Sequence, residues 1–384
     1  MPKGIINLGN TCYIASIIQN LLSTNKLTEY LNSDLFNNFL QQINNNLSKE
    51  QSNKLCIYNI YKVLHKLCND IEYRVNIINL RILFTHYNNN VGQQDAQEFL
   101  GYVLDTIHEE IKCSVSIEFN NIPDNIKQYF ELVKDMSEFD RKKLKKQYHE
   151  EDIVINSLIY YNNLLKNNYS QIINIFGGIY ITEIKCLQCN ESSIKFEYMT
   201  MLPLCITNNN SIIDLFNDYC KVELLDNDNM YHCELCNKKT NAEKSIRFWE
   251  LPQRLIIVFK KYSNNLTINN INITYPIELN IRPYISPIKC KYWNIKSEYE
   301  LYSVTKHTGT LDSGHYYSYV KNNDPSSGRL PRVNKEAIAH GAREEAHIRF
   351  HGYEWFKCDD ENISPCSLDE VLNSNGYILW YKIK

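Results

Sequence analysis

The spacing of apolar residues divides the chain into a helical first part and a β-rich second part. Apolar positions recur every three or four residues in IASIIQNLL after Cys12 and in DAQEFLGYVLDTIHEEI from Asp95, a spacing typical of amphipathic helices. Residues 54–69 and 126–170 have mostly helical patterns as well. The first 170 or so residues are therefore predicted to form an α-rich lobe.

The pattern changes after Phe176-Gly177-Gly178. Short alternating or β-branched runs such as RLIIVFKKY, HYYSYVK and GYILWYKIK follow, separated by Asn, Gly and Pro turns. A helical lobe followed by a β lobe predicts an α+β fold with a cleft between the lobes.

Residues 324–352 contain a single Asn and are rich in Ala and Arg. They could be an insertion of different origin, an unusual loop or an error in the gene model, and we expect a solvated loop without catalytic function.

Composition and charge exclude several functional classes. A chain of 384 residues is long enough for a large single domain or two to three subdomains. Its formal net charge of -3 gives no electrostatic reason to expect nucleic acid or an anionic membrane as a partner. Without a membrane-length apolar run or a signal-peptide core, we expect an intracellular protein, in the cytoplasm or the nucleus. Its thirteen cysteines then favour metal binding or catalysis over disulfides.

Four cysteines form a candidate metal site. Cys186 and Cys189 make one CxxC pair, and Cys233 and Cys236 make a second. Four thiolates suit tetrahedral Zn²⁺ in a closed structural site, with no position open for catalysis. The alternatives are incidental thiols or redox pairs, but no thioredoxin-like βαβ pattern surrounds them.

Cys12 is a candidate nucleophile, since it stands apart from the other cysteines at the predicted start of a helix. Backbone N–H groups and the helix dipole favour the thiolate there. A buried, inert cysteine is the alternative. A nucleophile also needs a base, for which His315 and His307 are candidates, and the paired Asp359 and Asp360 could orient it. Spacing alone does not select these residues from the ten histidines.

Taken together, the motifs resemble the ubiquitin-specific protease family of cysteine deubiquitinases. GIINLGNTCYIASIIQNLL resembles its cysteine box, and SVTKHTGTLDSGHYYSYVK, EWFKCDDENISPCSLDEV and GYILWYKIK resemble its histidine box. GQQDAQEFLGYVLD, the FGG turn and the two CxxC pairs lie between them in the family's order. The resemblance covers the chain from residue 4 to its end.

The resemblance implies a papain-like right-hand architecture within one catalytic domain. An α-rich thumb at about 1–172 would carry the cysteine, and zinc-tipped β fingers would occupy about 183–248. A β-rich palm would comprise about 173–182 and 249–384, including the atypical insert 324–352.

The same comparison assigns roles by motif position. Cys12 becomes the nucleophile, His315 the general base and Asp359 the third triad member, with Asp360 as the alternate. Asn7 matches the residue that helps to form the oxyanion hole, where a donor is needed because negative charge develops on the carbonyl oxygen.

The resemblance also implies contacts with the arginine-rich, diglycine-ended tail of ubiquitin. Asp95 would pair with an arginine of this tail, while its alternative role, capping a helix, is compatible with that pairing. Gln93 would hydrogen-bond the tail backbone. His307 and Gly314, at the two ends of the loop before the catalytic histidine, are further expected contacts.

The function implied is hydrolysis of the isopeptide bond after the C-terminal Gly of ubiquitin, through an acyl-enzyme. We expect a structural zinc ion and no organic cofactor. The expected partners are ubiquitin and ubiquitinated proteins, with a monomeric enzyme and neither nucleic acid nor membrane. A catalytically inactive ubiquitin-binding module on the same fold is the alternative, while a zinc-ribbon nucleic-acid binder is disfavoured by the net charge.

Overall fold

The computed structural model describes two regions that pack together, one helical and one built on β-sheets. It describes residues 2–69, 74–75, 77–88, 92–137, 140–141, 144–145, 147–206, 210–261, 271–309, 314–322 and 354–384. The predicted insert at 324–352 therefore lies outside the described residues.

Helices dominate the first part of the chain, as the apolar spacing predicts, and short helices also occur among the strands of the second part. They are α1 (Cys12–Leu22), α2 (Asn25–Leu31), α3 (Asp34–Asn46), α4 (Lys49–Ser52), α5 (Cys56–Asn69), α6 (Ile78–Asn88), α7 (Ala96–Ile111), α8 (Asp124–Val133), α9 (His149–Leu165), α10 (Gln171–Phe176), α11 (Ile212–Cys220), α12 (Pro287–Tyr292) and α13 (Leu368–Leu372). Of the helices within the described ranges, none combines the length and apolarity needed to cross a membrane.

Strands dominate after residue 177, and two short strands of the described part of the chain lie before it. They are β1 (Gly4–Ile5), β2 (Arg74–Val75), β3 (Gly178–Cys186), β4 (Ser192–Met199), β5 (Leu202–Cys205), β6 (Glu223–Leu225), β7 (Tyr231–Cys233), β8 (Lys238–Thr240), β9 (Ala242–Glu250), β10 (Arg254–Lys260), β11 (Glu278–Asn280), β12 (Glu298–Gly309), β13 (Gly314–Lys321), β14 (Trp355–Asp359), β15 (Asn362–Cys366) and β16 (Ile378–Ile383). The change occurs at the FGG turn, where α10 ends and β3 begins, so the predicted α+β fold is confirmed.

The largest sheet brings the predicted histidine and aspartate strands together. Its order is β15-β14-β13-β12-β16-β10-β5, with β11 paired to β12. Every pairing in it is antiparallel except that of β10 with β5. Because β12, β13 and β14 are antiparallel neighbours, the side chains where β12 and β14 end and where β13 begins lie close together at one end of the strands.

Helix α1 is buried between the helical region and this sheet. Every residue from Cys12 to Leu21 is buried, as expected for a helix that is apolar on most of its circumference. On one side Tyr13 packs against the rings of Phe84 and Phe99. On the other side α1 lies along β13 and β12.

Buried polar contacts fix the position of α1 on the sheet. The Nδ2 of Asn20 donates to the Oγ1 of Thr305 on β12 at 2.5 Å. The hydroxyls of Thr24 and Tyr302 share a hydrogen bond of 2.8 Å. Since a buried polar group needs its partner, these pairs favour one register of helix on sheet.

A second sheet extends away from the large one. It has four strands in the order β4-β3-β9-β6, and α8 and α9 share an apolar cluster with it that includes Phe196 and Trp249. Cys186 ends β3 and Cys233 ends the short strand β7. The two CxxC pairs therefore begin where β3 and β7 end, and the zinc-tipped fingers stay a prediction.

The Asn20 contact generates a prediction about stability. Asn20→Ala removes the amide that bonds the buried hydroxyls of Thr305 and Ser303, so we expect a loss of about 1–3 kcal/mol in the free energy of unfolding. Urea denaturation followed by circular dichroism measures it. Asn32→Ala is the matched control, because Asn32 bonds the carbonyl of Thr28 on the exposed surface, and it should change stability by less than about 0.5 kcal/mol. Equal effects of the two substitutions would contradict the assignment.

Candidate active site

Cys12 occupies the first turn of a buried helix. Thr11 is the N-cap residue of α1, and the preceding Gly9 and Asn10 have positive φ values of 83° and 53°. This left-handed turn directs the chain sharply into the helix. Cys12 is 4% exposed, so its side chain is almost completely buried.

Burial and backbone hydrogen bonds act on the Cys12 thiol in opposite directions. Burial raises its pKa, the N–H of Tyr316 lowers it, and the Asp360 carboxylate raises it further. The N–H groups of the first helical turn lower the pKa as expected, but burial outweighs them and the net shift is upward. The free thiol is therefore protonated at neutral pH. The contact with Tyr316 also brings Cys12 next to the strand that carries His315.

His315 and Asp359 meet across β13 and β14. The Nε2 of His315 lies 2.6 Å from Oδ1 of Asp359, while Oδ2 of Asp359 lies 3.2 Å from the Nζ of Lys357. Burial alone would raise the pKa of Asp359, but hydrogen bonds from His315 and Lys357 lower it overall. The carboxylate stays ionised, and it leaves Nδ1 of the imidazole for a second partner.

Asn7 and Asp360 form a second pair beside the first. The Oδ1 of Asn7 accepts from the N–H of Gly9 at 2.9 Å and from the hydroxyl of Thr11 at 3.2 Å. Its Nδ2 donates to Oδ2 of Asp360 at 2.7 Å, which determines the orientation of the amide. Asp360 has a φ of 50°, and its carbonyl accepts from the N–H of Ile5. Burial raises the pKa of Asp360, in contrast to its neighbour Asp359.

Gln93 contacts the strand that begins just before the histidine. Its Nε2 donates to the carbonyl of Gly314 at 2.6 Å, and its Oε1 accepts from the N–H of Gly314 at 3.1 Å. The resemblance implies that Gln93 hydrogen-bonds the backbone of the substrate tail. In the structure, the side-chain amide of Gln93 is instead bound to the protein's own backbone. Contact of Gln93 and Gly314 with substrate stays a prediction.

Asp95 is the N-cap of α7. Its Oδ1 accepts from the N–H of Gln97 at 2.6 Å, so the capping role is present. The hydroxyl of Tyr377 lies 2.9 Å and 2.7 Å from its two carboxylate oxygens. Burial raises the pKa of Asp95, although Tyr377 and the helix N–H groups oppose the shift. Pairing of Asp95 with an arginine stays a prediction.

His307 lies behind Gly314 and is neutral at physiological pH. Burial, Lys261 and Lys306 lower its pKa to about 4. Its ring packs on Tyr316 with a centroid distance of 4.4 Å. A Cβ atom on Gly314 would lie 2.1 Å from Nε2 of His307, so only glycine allows this close approach.

The four cysteines of the CxxC pairs converge. Their Sγ atoms lie within 4.8 Å of one another. The Cys186–Cys236 and Cys189–Cys233 sulfur separations are 4.0 Å and 3.6 Å. Tetrahedral zinc with Zn–S bonds of about 2.3 Å requires sulfurs about 3.8 Å apart, so the donor set fits this ion.

Comparison with known proteins identifies the family. The model of the ubiquitin carboxyl-terminal hydrolase family matches residues 3–381. The chain belongs to this family. Ubiquitin carboxyl-terminal hydrolase 4 of Saccharomyces cerevisiae (strain YJM789) is 28% identical over 98% of this chain and 39% of its own length. For ubiquitin carboxyl-terminal hydrolase 17-like protein C of Mus musculus the identity is 27%, over 98% of this chain and 54% of its own length.

The chain therefore spans about two-fifths to one-half of the length of these curated relatives. Solved structures of a SAGA DUB module have the same fold. The SAGA Ubp8/Sgf11/Sus1/Sgf73 DUB module bound to ubiquitin aldehyde matches with a TM-score of 0.67 and 22% identity, over 100% of this chain and 69% of that one. The Ubp8-Sgf11-Sgf73-Sus1 SAGA DUB module gives a TM-score of 0.62 and 21% identity, over 100% and 67%. At this identity the likeness establishes the fold.

Family motifs did not identify every residue at the site. Lys357, the second partner of Asp359, stands two positions before it on β14, and the alternation of side chains along a strand predicts that both face the same side. Tyr377 lies far from Asp95 in sequence, and no local pattern pairs them. The backbone contact of Tyr316 with Cys12 likewise depends on the packing of α1 against β13.

The raised pKa of Cys12 predicts how the free thiol reacts. The thiolate, not the thiol, attacks iodoacetamide and displaces iodide, so the rate of Cys12 alkylation should keep rising between about pH 6 and pH 10. Mass spectrometry of the Cys12 peptide measures the rate, with the exposed Cys113 as internal reference. A rate that levels off below about pH 8 would show a thiolate already formed at neutral pH.

The sulfur cluster predicts one zinc ion per chain. Cys233→Ser should remove it and lower the melting temperature, because a structural zinc site contributes its binding energy to folding. Metal analysis and thermal denaturation measure both effects. Cys205→Ser, at an exposed cysteine outside the cluster, should change neither. Purified protein that lacks zinc and is as stable as the Cys233→Ser variant would refute the site.

Proposed function

We propose that this chain is a cysteine-dependent deubiquitinase that hydrolyses the isopeptide bond after the C-terminal Gly of ubiquitin. The observation that carries the proposal is the 2.6 Å hydrogen bond between His315 and Asp359, with the Cys12 thiol in contact with the next residue, Tyr316. These two contacts support a site made of a nucleophile, a base and a group that orients the base. Membership of the family and the ubiquitin aldehyde bound to one structural neighbour support the choice of ubiquitin as the substrate.

In the first step the Cys12 sulfur attacks the carbonyl carbon of the terminal Gly. His315 accepts the thiol proton at Nδ1 as the C–S bond forms. Cys12 can therefore react although the pKa of its free thiol is raised. Asp359 holds Nε2 and stabilises the imidazolium. Lys357 supports this role because it keeps the carboxylate ionised.

The tetrahedral intermediate then collapses to an acyl-enzyme. The bond between the Gly carbonyl carbon and the lysine nitrogen breaks, and His315 transfers its proton to the departing amine. Water, deprotonated by His315, attacks the thioester and releases the carboxylate of ubiquitin, and the proton returns to Cys12. His315 thus gives the first proton to the amine and the second to Cys12, and it ends the turnover in the state in which it began.

Asn7 supplies a donor to the oxyanion in this proposal. One N–H of its amide is bound to Asp360, and the second remains for the carbonyl oxygen as charge develops. Asp360 keeps the amide nitrogen, rather than the oxygen, directed towards the site. Because Asp360 is bound to Asn7, Asp359 is favoured over Asp360 as the partner of His315.

Asp95 offers a site for a cation of the substrate tail. Its carboxylate is already oriented by Gln97 and Tyr377, so an arginine would meet a fixed acceptor. Zinc, held by Cys186, Cys189, Cys233 and Cys236, would cross-link the end of the second sheet and supply structural stability without taking part in the reaction.

A covalent probe tests the nucleophile. Ubiquitin with a C-terminal electrophile should label the wild-type chain at Cys12, whereas Cys12→Ala should abolish labelling. Cys113→Ala, at an exposed cysteine, should leave it unchanged. Ubiquitin binding without labelling of the wild type would instead favour an inactive ubiquitin-binding module.

Turnover tests the orienting carboxylate. Asp359→Asn removes the acceptor that holds the imidazole, so kcat on a fluorogenic ubiquitin substrate should fall by about 10²-fold or more. Asp369→Asn, at an exposed aspartate in α13, should stay within about twofold of wild type. Full activity of Asp359→Asn would rule out this triad.

A further inference from the structure

A series of hydrogen bonds links a cation on α6 to the side-chain amide of Asn7. The Nη1 of Arg81 donates to the carbonyl oxygen of Leu8 at 2.6 Å. That carbonyl belongs to the same peptide group as the N–H of Gly9, which donates to Oδ1 of Asn7 at 2.9 Å. The Nδ2 of Asn7 in turn donates to Asp360 at 2.7 Å. A single peptide group therefore connects Arg81 to the proposed oxyanion donor.

Arg81 lies on a helix that is fixed to the core. Phe84, about one turn further along α6, is fully buried, and its ring packs on Tyr13 of α1 with a centroid distance of 5.7 Å. The backbone N–H of Arg81 bonds the carbonyl of Ile77. The guanidinium is thus supplied by an ordered element that packs directly on the helix of Cys12.

The segment that Arg81 contacts is otherwise exposed. Asn7, Gly9 and Asn10 are exposed, and a Cβ atom built on Gly9 would meet no heavy atom within 4 Å. Asp360 holds this segment on the side of the large sheet, and Arg81 holds it on the side of the helices. Among the hydrogen bonds of the described residues, these two join residues 7–10 to distant parts of the chain.

The direction of the bonds favours donation by the Asn7 amide. A cation bound to a peptide carbonyl strengthens the bond that the N–H of the same peptide donates, because hydrogen bonds in series polarise one another. The Gly9 N–H and the Thr11 hydroxyl both donate to Oδ1 of Asn7 and draw electron density towards it. The amide nitrogen of Asn7 thereby becomes a stronger donor to a negatively charged oxygen.

The charge of Arg81 also offsets a neighbouring negative charge. Asp360 binds the Asn7 amide directly, so an oxyanion bound to that amide would form near a carboxylate. Among the described residues, Arg81 bonds the Leu8 carbonyl and forms no ion pair. Its positive charge is therefore directed along the Leu8–Gly9 peptide, towards the amide that needs it.

We propose that Arg81 is a positioning residue for the oxyanion donor, which it orients and polarises through the Leu8–Gly9 peptide. This inference rests on the proposed function, in which Asn7 binds the oxyanion. Arg81 itself touches neither the substrate nor the reacting atoms in this account. Its effect falls on the transition state, where negative charge develops, and not on the binding of ubiquitin.

The kinetic consequence is a split between kcat and KM. Arg81→Met keeps the apolar stem, so kcat on a fluorogenic ubiquitin substrate should fall by about five- to thirtyfold, with KM within about twofold of wild type. Arg81→Lys keeps a charged donor and should stay within about threefold of wild type. Arg282→Met is the matched control, because Arg282 also bonds a backbone carbonyl, that of Ile295, and it should change neither constant by more than about twofold.

Ubiquitin aldehyde provides a readout that does not depend on turnover. The Cys12 sulfur adds to the aldehyde carbon and the thiol proton passes to the aldehyde oxygen, so the oxygen of the hemithioacetal lies where the oxyanion forms. Arg81→Met should weaken inhibition by ubiquitin aldehyde by the same factor as it lowers kcat/KM. The dissociation constant of unmodified ubiquitin, measured in the Cys12→Ala background, should change by less than about twofold. Equal weakening of both would mean that Arg81 supports the binding surface, and it would overturn the inference.

A double-mutant cycle tests whether Arg81 acts through Asn7. In the Asn7→Ala background, Arg81→Met should change kcat by less than about twofold, because the amide through which it acts is gone. The same fold-change in both backgrounds would overturn the inference. So would a loss of activity that matches the fraction of Arg81→Met protein unfolded at the assay temperature, measured by thermal denaturation.

Failure of the inference is distinguishable from failure of the proposed function. If the wild-type chain does not cleave ubiquitin substrates, both are wrong. If Asn7→Ala retains full activity, the oxyanion role of Asn7 is wrong and the inference falls with it. If Asn7→Ala lowers kcat while Arg81→Met leaves it unchanged, only the role of Arg81 is wrong.

Discussion

The packing of α1 against β13 is the contact on which the site depends. It places a cysteine from the first turn of a helix beside a strand that lies some three hundred residues later in the chain. Buried hydrogen bonds such as that of Asn20 with Thr305 fix the helix on the sheet, so the position of the thiol is set by the core and not by a loop.

The surroundings of Asp359 and Asp360 give two adjacent carboxylates different tasks. Asp359 is bound by His315 and Lys357, and its pKa is lowered, so it serves as a fixed negative charge beside the imidazole. The pKa of Asp360 is raised by burial, and its hydrogen bond orients the Asn7 amide. One supports the group proposed to move protons, and the other supports the group proposed to bind the oxyanion.

The sequence predicted the parts of the site that lie within motifs. The start of α1 at Cys12 follows from apolar spacing, and the pairing of His315 with Asp359 agrees with their positions in the histidine box. It could not predict contacts that depend on how distant segments pack, such as Gln93 with Gly314. Nor could it weigh burial against the helix N–H groups at Cys12, because the extent of burial is a property of the assembled core.

The central claim is that Cys12 carries the acyl group of the substrate during turnover. Rapid acid quenching of the wild-type chain mixed with a ubiquitin C-terminal ester or amide, followed by intact-mass and peptide mass spectrometry, tests it directly. The account predicts a transient thioester, sensitive to hydroxylamine, between ubiquitin and Cys12. Steady hydrolysis without such an adduct, or an adduct at another residue, would contradict it.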